Sequence, residues 1–590
     1  MTLLRFGLLA GILAAAALSP AESPPPPRQE TRPAPSTAPA DLPAGLERVL
    51  ARVPDDARAV VIVPSLAGLT SGVAAFGKAV DVSQLEEFTA TEMLSELLEE
   101  SAAPIDPAGP LVLAFAPDYD EPVLLALAQP TESWRSKARA AELRPGIPLY
   151  DFGADRYLVA TDDGLIFFGR ERADLRRALD SRGALGRKLP AVMGAALPAR
   201  QVAAYVDVPA WSEMLQAQLN AAMRQVLMGV STGEPEAEVA MQVLAWARGQ
   251  LESTIGQAEA LVASVQVNEA GVLAESRATF KAGSEIRKYL QQVRPAEQSP
   301  LRGLLAADAT LVFGYEWQDA AGSEGPQMSL TRAILSMDPL RTKLGTERIA
   351  ALLARSGAVH GRMSGTNFAL AYEPAGHGLL YWGMYFSAEP AAMLADVRVL
   401  YDQTPELMNA LGMFPTGMER GESEQVAGAT VDVYRLQMKP ATAAARRMSE
   451  PTVEALYGKE ATLYVAPHAA GLAYALGPRT AARRKLEQVL GGGAPLAEAP
   501  RVKAALARLN PRPQVIGLVD LRRAFKDVCA VSEQIGFPLP RPQLPPGDAA
   551  LAALGIYLEP DAIRLQGFIP SEPIAQLSAA LDELGENGAE

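Results

Sequence analysis

The feature that most constrains the fold of this chain is an internal duplication, in which short segments recur in the same order in both halves. Leu113-Ala114-Phe115-Ala116-Pro117 recurs as Leu370-Ala371-Tyr372-Glu373-Pro374, each ending one predicted strand before a second one begins. Gly164–Leu179 recurs as Gly471–Leu486, each a predicted strand followed by a helix. A repeat of this kind decides the architecture before single elements are placed. Two more pairs keep the order: Gln201–Asp207 with Gln514–Asp520, and Asp56–Val63 with Asp308–Gly314.

Each duplicated unit is predicted to be an α+β domain. The repeated hairpins imply antiparallel pairing, so we expect two tandem diverged copies of an antiparallel sheet with helices packed on one face. Copy one spans residues 46–293 and copy two residues 301–585, with a proline-containing linker at residues 294–300. Helical periodicity at about residues 210–260 predicts a helical hairpin in copy one, which would cover a sheet or form a surface for a partner.

The N-terminus predicts export from the cytoplasm. Met1–Arg5 is positively charged, Phe6–Leu18 is a short apolar run, and Ser19-Pro20-Ala21 offers small residues for cleavage before Glu22. This is the pattern of a signal peptide at residues 1–21. The apolar run has about 13 residues, fewer than the about 20 that a spanning helix needs, and no later stretch is long enough, so the mature chain is expected to lack a transmembrane helix. We expect a periplasmic or secreted protein.

The chain ends are expected to stay disordered. Residues 22–45 are rich in proline and alanine, which favours an extended linker that buries little surface. Residues 586–590 follow the last predicted helix and form a predicted disordered tail.

The opening of copy one resembles a known family. Val53-Pro54-Asp55-Asp56-Ala57, followed by the strand and helix entry at Val61–Leu66, is similar to the start of an uncharacterised family of exported bacterial proteins, a domain of unknown function. Copy two departs from the pattern, with Glu316-Trp317 in place of the Val-Pro pair. The resemblance implies location and fold, and implies no activity or site.

Net charge argues against nucleic acid as a partner. The formal charge is −14, which repels a phosphate backbone unless a compensating basic face exists. Basic clusters occur at Arg170–Arg177, Arg446-Arg447 and Arg483-Arg484-Lys485. Each falls in a predicted amphipathic helix, where a solvated helix face is the first interpretation and an anion site the second.

Two nucleophile candidates are weak. Gly229-Val230-Ser231-Thr232-Gly233 fits the serine hydrolase pattern, but it lies between helices rather than on a strand-to-helix turn, and helix capping explains it better. Cys529 is the only cysteine and sits in an apolar helical pattern, which is typical of a small buried hydrophobe. No intramolecular disulfide is possible.

No metal or phosphate motif is recognised. The histidines His360, His377 and His468 are too dispersed for a local zinc motif. Asp118, Asp120 and Glu121 crowd one turn and offer oxygens to calcium, although a solvated hairpin tip is the simpler interpretation. The run Gly491–Gly493 follows a helix instead of preceding one, so it makes no phosphate cradle.

The richest aromatic stretch is Tyr381–Phe386, which is predicted to be a strand. One of its faces must enter a core, and the other, formed by Tyr381, Gly383 and Tyr385, is a candidate apolar groove or an inter-domain contact.

These observations favour an exported, non-enzymatic binding or structural module whose binding residues the sequence does not reveal. Its partner would be an envelope or secreted protein. One alternative is a carrier of a lipid or another apolar ligand, because a sheet curved under helices can enclose a cavity. A serine hydrolase that uses Ser231 is the remaining alternative. No catalytic residue, cofactor or metal is predicted.

Overall fold

The fold is seen in a computed structural model. It describes residues 42, 44–98, 105–119, 121–129, 135, 138–153, 156–194, 197, 200–228, 235–295, 298–305, 309–318, 326–373, 378–411, 417–437, 456, 458, 460–536, 539, 544–545 and 547–587. The predicted signal peptide, nearly all of the predicted proline-rich linker and the last three residues of the predicted tail lie outside these ranges. None of the helices within them combines the length and hydropathy that crossing a bilayer requires.

The first half contains ten strands and nine helices among the described residues. Its strands pair in the order β4-β5-β6-β7-β3-β2-β1-β8-β9-β10, and every pairing is antiparallel. The elements are α1 (Ala44–Leu50), β1 (Ala59–Val63), α2 (Leu66–Val80), α3 (Ser83–Glu86), α4 (Ala90–Leu98), β2 (Leu111–Phe115), β3 (Val123–Leu127), β4 (Arg139–Arg144), β5 (Ile147–Asp151), β6 (Tyr157–Ala160), β7 (Leu165–Gly169), α5 (Arg172–Asp180), α6 (Ala184–Met193), β8 (Val202–Asp207), α7 (Val208–Met228), α8 (Pro235–Gln257), β9 (Ala258–Asn268), β10 (Gly271–Phe280) and α9 (Glu285–Gln292).

The second half repeats this strand order. Its strands pair as β17-β18-β19-β14-β13-β12-β20-β21-β22, with β15 and β16 against β17, so the equivalents of β1 and β10 are β12 and β22. The elements are β11 (Arg294–Pro295), β12 (Leu311–Gln318), α10 (Pro326–Leu335), α11 (Asp338–Leu344), α12 (Thr346–Arg362), β13 (Gly365–Glu373), β14 (Gly378–Phe386), α13 (Pro390–Leu411), β15 (Gly417–Arg420), β16 (Glu424–Val426), β17 (Ala429–Gln437), β18 (Ala461–His468), β19 (Gly471–Pro478), α14 (Arg479–Gly491), a 3₁₀ turn (Leu496–Glu498), α15 (Pro500–Leu506), β20 (Val515–Val519), α16 (Leu521–Gln534), β21 (Ala552–Leu558), β22 (Ala562–Pro570) and α17 (Ser571–Asn587).

The α+β class, the antiparallel pairing and the tandem duplication are therefore confirmed. One detail differs from the expectation, because helices cover both faces of the outer strands instead of one. In the first half, Leu46 of α1 and Leu189 of α6 pack on one face, and Leu66 of α2 and Leu94 of α4 pack on the other. The reason is that outer strands such as Leu165–Phe168 are continuous apolar runs, so both of their faces must be buried.

Within the described ranges, the two copies are joined into one sheet of 22 strands by antiparallel pairing of β10 with β22. Gly271, the first residue of β10, is opposite Pro570, the last residue of β22, and Thr279 is opposite Ala562, the first residue of β22. The register is thus the same when read from either copy. Such a self-complementary contact is what a two-fold axis produces between identical subunits, here within one chain.

Candidate functional site

The central strands of the sheet have one apolar face, which carries the candidate site. One row of cross-strand neighbours on this face runs across five strands and is buried: Val206, Leu261, Ala278, Ile563 and Leu558. Leu215 and Leu219 of α7 and Leu251 and Ile255 of α8 pack in the same core. We call this side of the sheet the hairpin face, because the helical hairpin formed by α7 and α8 covers it. The hairpin therefore covers the sheet, one of the two roles expected for it.

The hairpin covers only one of the two symmetry-related halves of the contact between β10 and β22. The pair Ala278 and Ile563 lies under the hairpin, and the exposed fractions of the two side chains are 8% and 3%. We call the pairing of β10 with β22 the seam. The two-fold relation of its register makes Ile569 and Val272, which also lie opposite each other, the equivalent pair in the other half of the seam. Ile569 is 45% exposed. The second copy has α16 as the counterpart of α7, and the helix α8 has no counterpart among its described elements.

The uncovered area extends over neighbouring strands. Behind Ile569 and Val272, the next row of the hairpin face places Val265, Ala274, Gly567 and Leu554 side by side. Ala274 is exposed and the other three are partly exposed. A Cβ atom on Gly567 would meet Ala553 O at 3.9 Å and Leu554 Cδ1 at 4.0 Å, so there is open space above the glycine. We call these six residues, together with Val267, the central patch.

Two helices border the central patch at the end of its strands. Ser571 begins α17 and donates from its N and its Oγ to the carbonyls of Ala270 and Glu269 in the β9–β10 turn. Helix α2 crosses β9 at Gly72, where a Cβ would lie 2.6 Å from Val267 O. Glycine is therefore required for this close approach. The patch lies between the hairpin on one side and these two helices on the other.

The opposite face of the same strands carries charged groups at the contact between β10 and β22. Arg277 and Arg564 lie directly across the seam from each other, and acidic groups neutralise both. Arg277 contacts Glu559 at 2.8 Å and Asp561 at 3.0 Å, while Arg564 contacts Glu559 at 3.0 Å and Glu275 at 3.6 Å. An antiparallel sheet commonly presents one polar, solvated face and one apolar, covered face. The partly bare apolar face is the departure from that pattern.

The aromatic strand predicted as a groove is covered instead. Leu380, Trp382, Met384 and Phe386 enter the core beneath α14, and Tyr385 packs beneath α13 on the other face. Burial raises the pKa of Tyr385. Its ring stacks on Tyr474 with centroids 4.8 Å apart. Among the described residues, both faces of this strand are packed, because both are apolar and each has a helix to pack on.

The structure brings two separate candidates together at the β2–β3 turn. Asp118 pairs with Arg177, and Glu121 contacts Arg170 at 2.9 Å, so carboxylates proposed for calcium neutralise a predicted basic cluster. Asp120 lies outside the described residues. In the second half, Glu424 contacts Arg479 and Arg483 at 3.3 Å each. Within the described part of the chain, no cluster of three or more potential ligands could hold a metal ion.

The remaining candidates lie in separate elements. Cys529 is buried, with 3% of its surface exposed. His468 is half-buried, its Nδ1 accepts from Ala470 N at 3.2 Å, and burial lowers its pKa. His360 lies in α12, and Gly491 ends α14 as expected. Ser231, its Gly229–Gly233 segment, His377 and Arg446-Arg447 lie outside the described residues.

Sequence reasoning missed the central patch because its residues form no motif. One signal was present, since comparison of the copies shows that the segment after α16 is rich in proline where copy one continues into α8. Proline cannot continue a helix, so comparison of the two copies predicts that copy two lacks a counterpart of α8 at this point.

Comparison with known proteins gives no assignment. No family model matches the chain, and no curated protein matches it. Among solved structures, crystal forms I and III of the protein TP0453 are similar at 10% sequence identity and a TM-score of 0.22. The similarity covers 40% of this chain and 79% and 83% of those chains. A likeness this low supports no conclusion about fold or function.

Proposed function

We propose that the protein is an exported, non-enzymatic binding module that docks an apolar segment of an envelope or secreted partner on the central patch. The observation that carries this proposal is the 45% exposure of Ile569 at a position whose symmetry equivalent, Ala278, is buried under a helix. Exposed apolar surface at a site that the fold itself covers elsewhere is typical of an interaction surface.

The covered half of the seam indicates what the partner segment is. There, Leu251 and Ile255 of α8 reach the sheet at helical spacing and pack beside Ala278 and Ile563. The bare half has the same strand register and apolar side chains of similar size. A partner helix that presents Leu or Ile at a spacing of three or four residues would fit the patch by the same packing.

The patch is an open sheet face, which favours a protein segment over a carried lipid. Pockets for small apolar molecules enclose most of the ligand surface, and the central patch is bordered by helices on two sides only. A lipid carrier remains an outcome of the test, because native mass spectrometry of the purified protein would then show a persistent bound mass.

The test compares two matched charge substitutions. Ile569→Arg places a charge in the patch, whereas Val528→Arg places one at an apolar residue of α16 that is 54% exposed. A protein recovered from an envelope fraction is purified, and its Kd for each variant is measured. We expect the wild-type protein and Val528→Arg to bind equally, and Ile569→Arg to bind at least about tenfold more weakly, because burying an unpaired charge opposes docking.

Two results would contradict the proposal. Equal Kd values for Ile569→Arg and the wild-type protein would remove the patch as the docking site. If no recovered protein binds Ile569→Arg more weakly than Val528→Arg, the proposed binding function is contradicted.

A further inference from the structure

A polar cleft of about 680 Å3 lies beside α16 in the second half of the molecule. It is independent of the central patch and is bordered by charged groups. The charged lining residues are Arg501, Asp520, Arg522, Arg523, Lys526, Asp527 and Asp548. Four of these groups are cations, in a protein whose formal charge is −14.

The acidic groups of the cleft already have partners, and Asp548, whose side chain is 78% exposed, lies 3.7 Å from Arg501. One oxygen of Asp520 accepts from Arg501 at 3.0 Å, and the other caps α16 by accepting from Arg523 N at 3.0 Å. Asp527 accepts from the Thr310 hydroxyl and from Tyr372 N, which ties α16 to the ends of β12 and β13. These carboxylates therefore hold the fold together around the cleft.

Arg522 is different, because its charge is buried without an acidic partner. Its exposed fraction is 5%, and its two terminal nitrogens donate to neutral acceptors, Gln576 Oε1 and Gly547 O. Its Nε donates to no acceptor within the described ranges. Nor does any carboxylate of those ranges lie within ion-pair distance of it.

A buried guanidinium without a counter-charge is unfavourable, since burial of a charge is compensated by pairing. An oxyanion in the cleft would supply the missing negative charge. Lys526, exposed at the same cleft, would offer a second cation to such a ligand.

The fold does not require these cations. In copy one, the residues that follow Asp207 at the start of α7 are Val208, Pro209 and Ala210, where copy two has Leu521, Arg522 and Arg523 after Asp520. The strand-to-helix unit thus forms without the arginine pair in one copy. The basic residues are an addition specific to copy two.

We propose that the α16 cleft binds a small anion through a phosphate or carboxylate group, with the guanidinium of Arg522 and the ammonium of Lys526 as its counter-charges. Guanidinium and ammonium groups form their strongest hydrogen bonds with such oxyanions. The positive end of the α16 dipole lies at the N-terminus of the helix, where Arg522 is the second residue, and it favours a negative ligand.

The test measures binding of inorganic phosphate and of citrate to the purified protein by calorimetry, with chloride at equal ionic strength as the reference. We expect saturable binding of at least one anion. Phosphate alone would identify a phosphate-group ligand, and citrate alone a carboxylate. Arg522→Gln should weaken binding at least about tenfold, since it removes the buried positive charge that the anion would compensate.

A second pair of variants guards against misfolding of Arg522→Gln. Lys526→Gln changes an exposed residue of the cleft, and we expect it to weaken binding by about threefold or more. Lys503→Gln changes a lysine of α15 that is 58% exposed and pairs with Glu498 of the 3₁₀ turn, so it should bind like the wild-type protein. Absence of saturable binding below about 10 mM for both anions would overturn the proposal. Equal affinities of the wild-type protein, Lys526→Gln and Lys503→Gln would overturn it as well.

Discussion

Single residues set how the molecule responds to pH, and His468 is the clearest case. It ends β18, and its Nδ1 accepts a hydrogen bond from Ala470 N, which only the neutral ring can do. Burial lowers its pKa in the folded state below the ordinary value. The unfolded chain therefore binds a proton more readily than the folded one, and the contribution of His468 is present at neutral pH and is lost as the pH falls below about 6.5.

We predict that His468→Gln reduces the acid sensitivity of the protein. The free energy of unfolding, measured by urea titration at about pH 7.5 and about pH 5.5, should fall less for the variant than for the wild-type protein, because the variant has no ring to protonate. An equal fall for both proteins would show that His468 does not contribute.

The identity of these residues was visible in the sequence, but their environments were not. His468 lies at the end of β18. Its hydrogen bond depends on the turn at residues 469–470, and the hydrogen bonds of Arg522 depend on Gln576 and Gly547 from distant segments. Such contacts are set by tertiary packing, which local patterns do not encode.

At the scale of elements, the seam between β10 and β22 is the contact that joins the two copies. Along its polar face, Arg277 faces Arg564, and their shared neighbour Glu559 bonds both. The ion pairs are about one-third exposed, so each contributes little alone, and the network contributes more than an isolated surface pair.

We predict that Arg277→Ala destabilises the protein by about 1 kcal/mol, because it removes two ion pairs. The simultaneous loss of the like-charge contact with Arg564 offsets part of this effect. The change is measured as a shift of the urea midpoint. Arg248→Ala is the matched control, because Arg248 pairs with Glu252 on the exposed side of α8 at 2.8 Å and should cost less than about 0.5 kcal/mol. Equal effects of the two substitutions would mean that the seam network adds nothing.

The repeated elements were predictable, because each repeated segment carries its own apolar pattern and turn residues. The strand pairs around Leu113 and Leu370 and the strand-helix units ending at Leu179 and Leu486 lie where the sequence placed them. The seam itself was not predictable. The residue patterns of β10 and β22, the last strand of each copy, do not specify which strand pairs with them. Only the three-dimensional arrangement makes them neighbours of each other.

At the scale of the whole molecule, the two copies share one continuous sheet instead of forming two separate sandwiches. The outermost strands end this sheet with charged or irregular edges. Strand β4 carries Arg139, Glu142 and Arg144 and is bulged between the last two, and the edge beyond β17 is broken between β15 and β16. These features discourage further strand addition, so the sheet stops growing at its two ends.

Export is a prediction about the whole chain. When the full chain is produced in a bacterium, we expect the extracytoplasmic fraction to hold a protein whose N-terminal residue is Glu22, because the apolar run at Phe6–Leu18 directs secretion. Leu9→Arg interrupts that run and should leave an unprocessed precursor inside the cell. N-terminal sequencing makes the distinction, and a wild-type protein that keeps Met1 in the cytoplasm would contradict the prediction.

The pairing of β10 with β22 is tested most directly by a cross-strand disulfide. In a Cys529→Ser background, Ala274→Cys and Gly567→Cys place two thiols opposite each other on the hairpin face. Directly opposed residues in antiparallel strands have Cα atoms about 4.5 to 5.5 Å apart, which a disulfide can span. We predict a quantitative intramolecular bond on mild oxidation, seen by mass spectrometry of the non-reduced protein. Ala274→Cys with Phe568→Cys, whose side chain lies on the other face, should stay reduced. Free thiols in the first pair, or bonds only between molecules, would contradict the joining of the two copies at this seam.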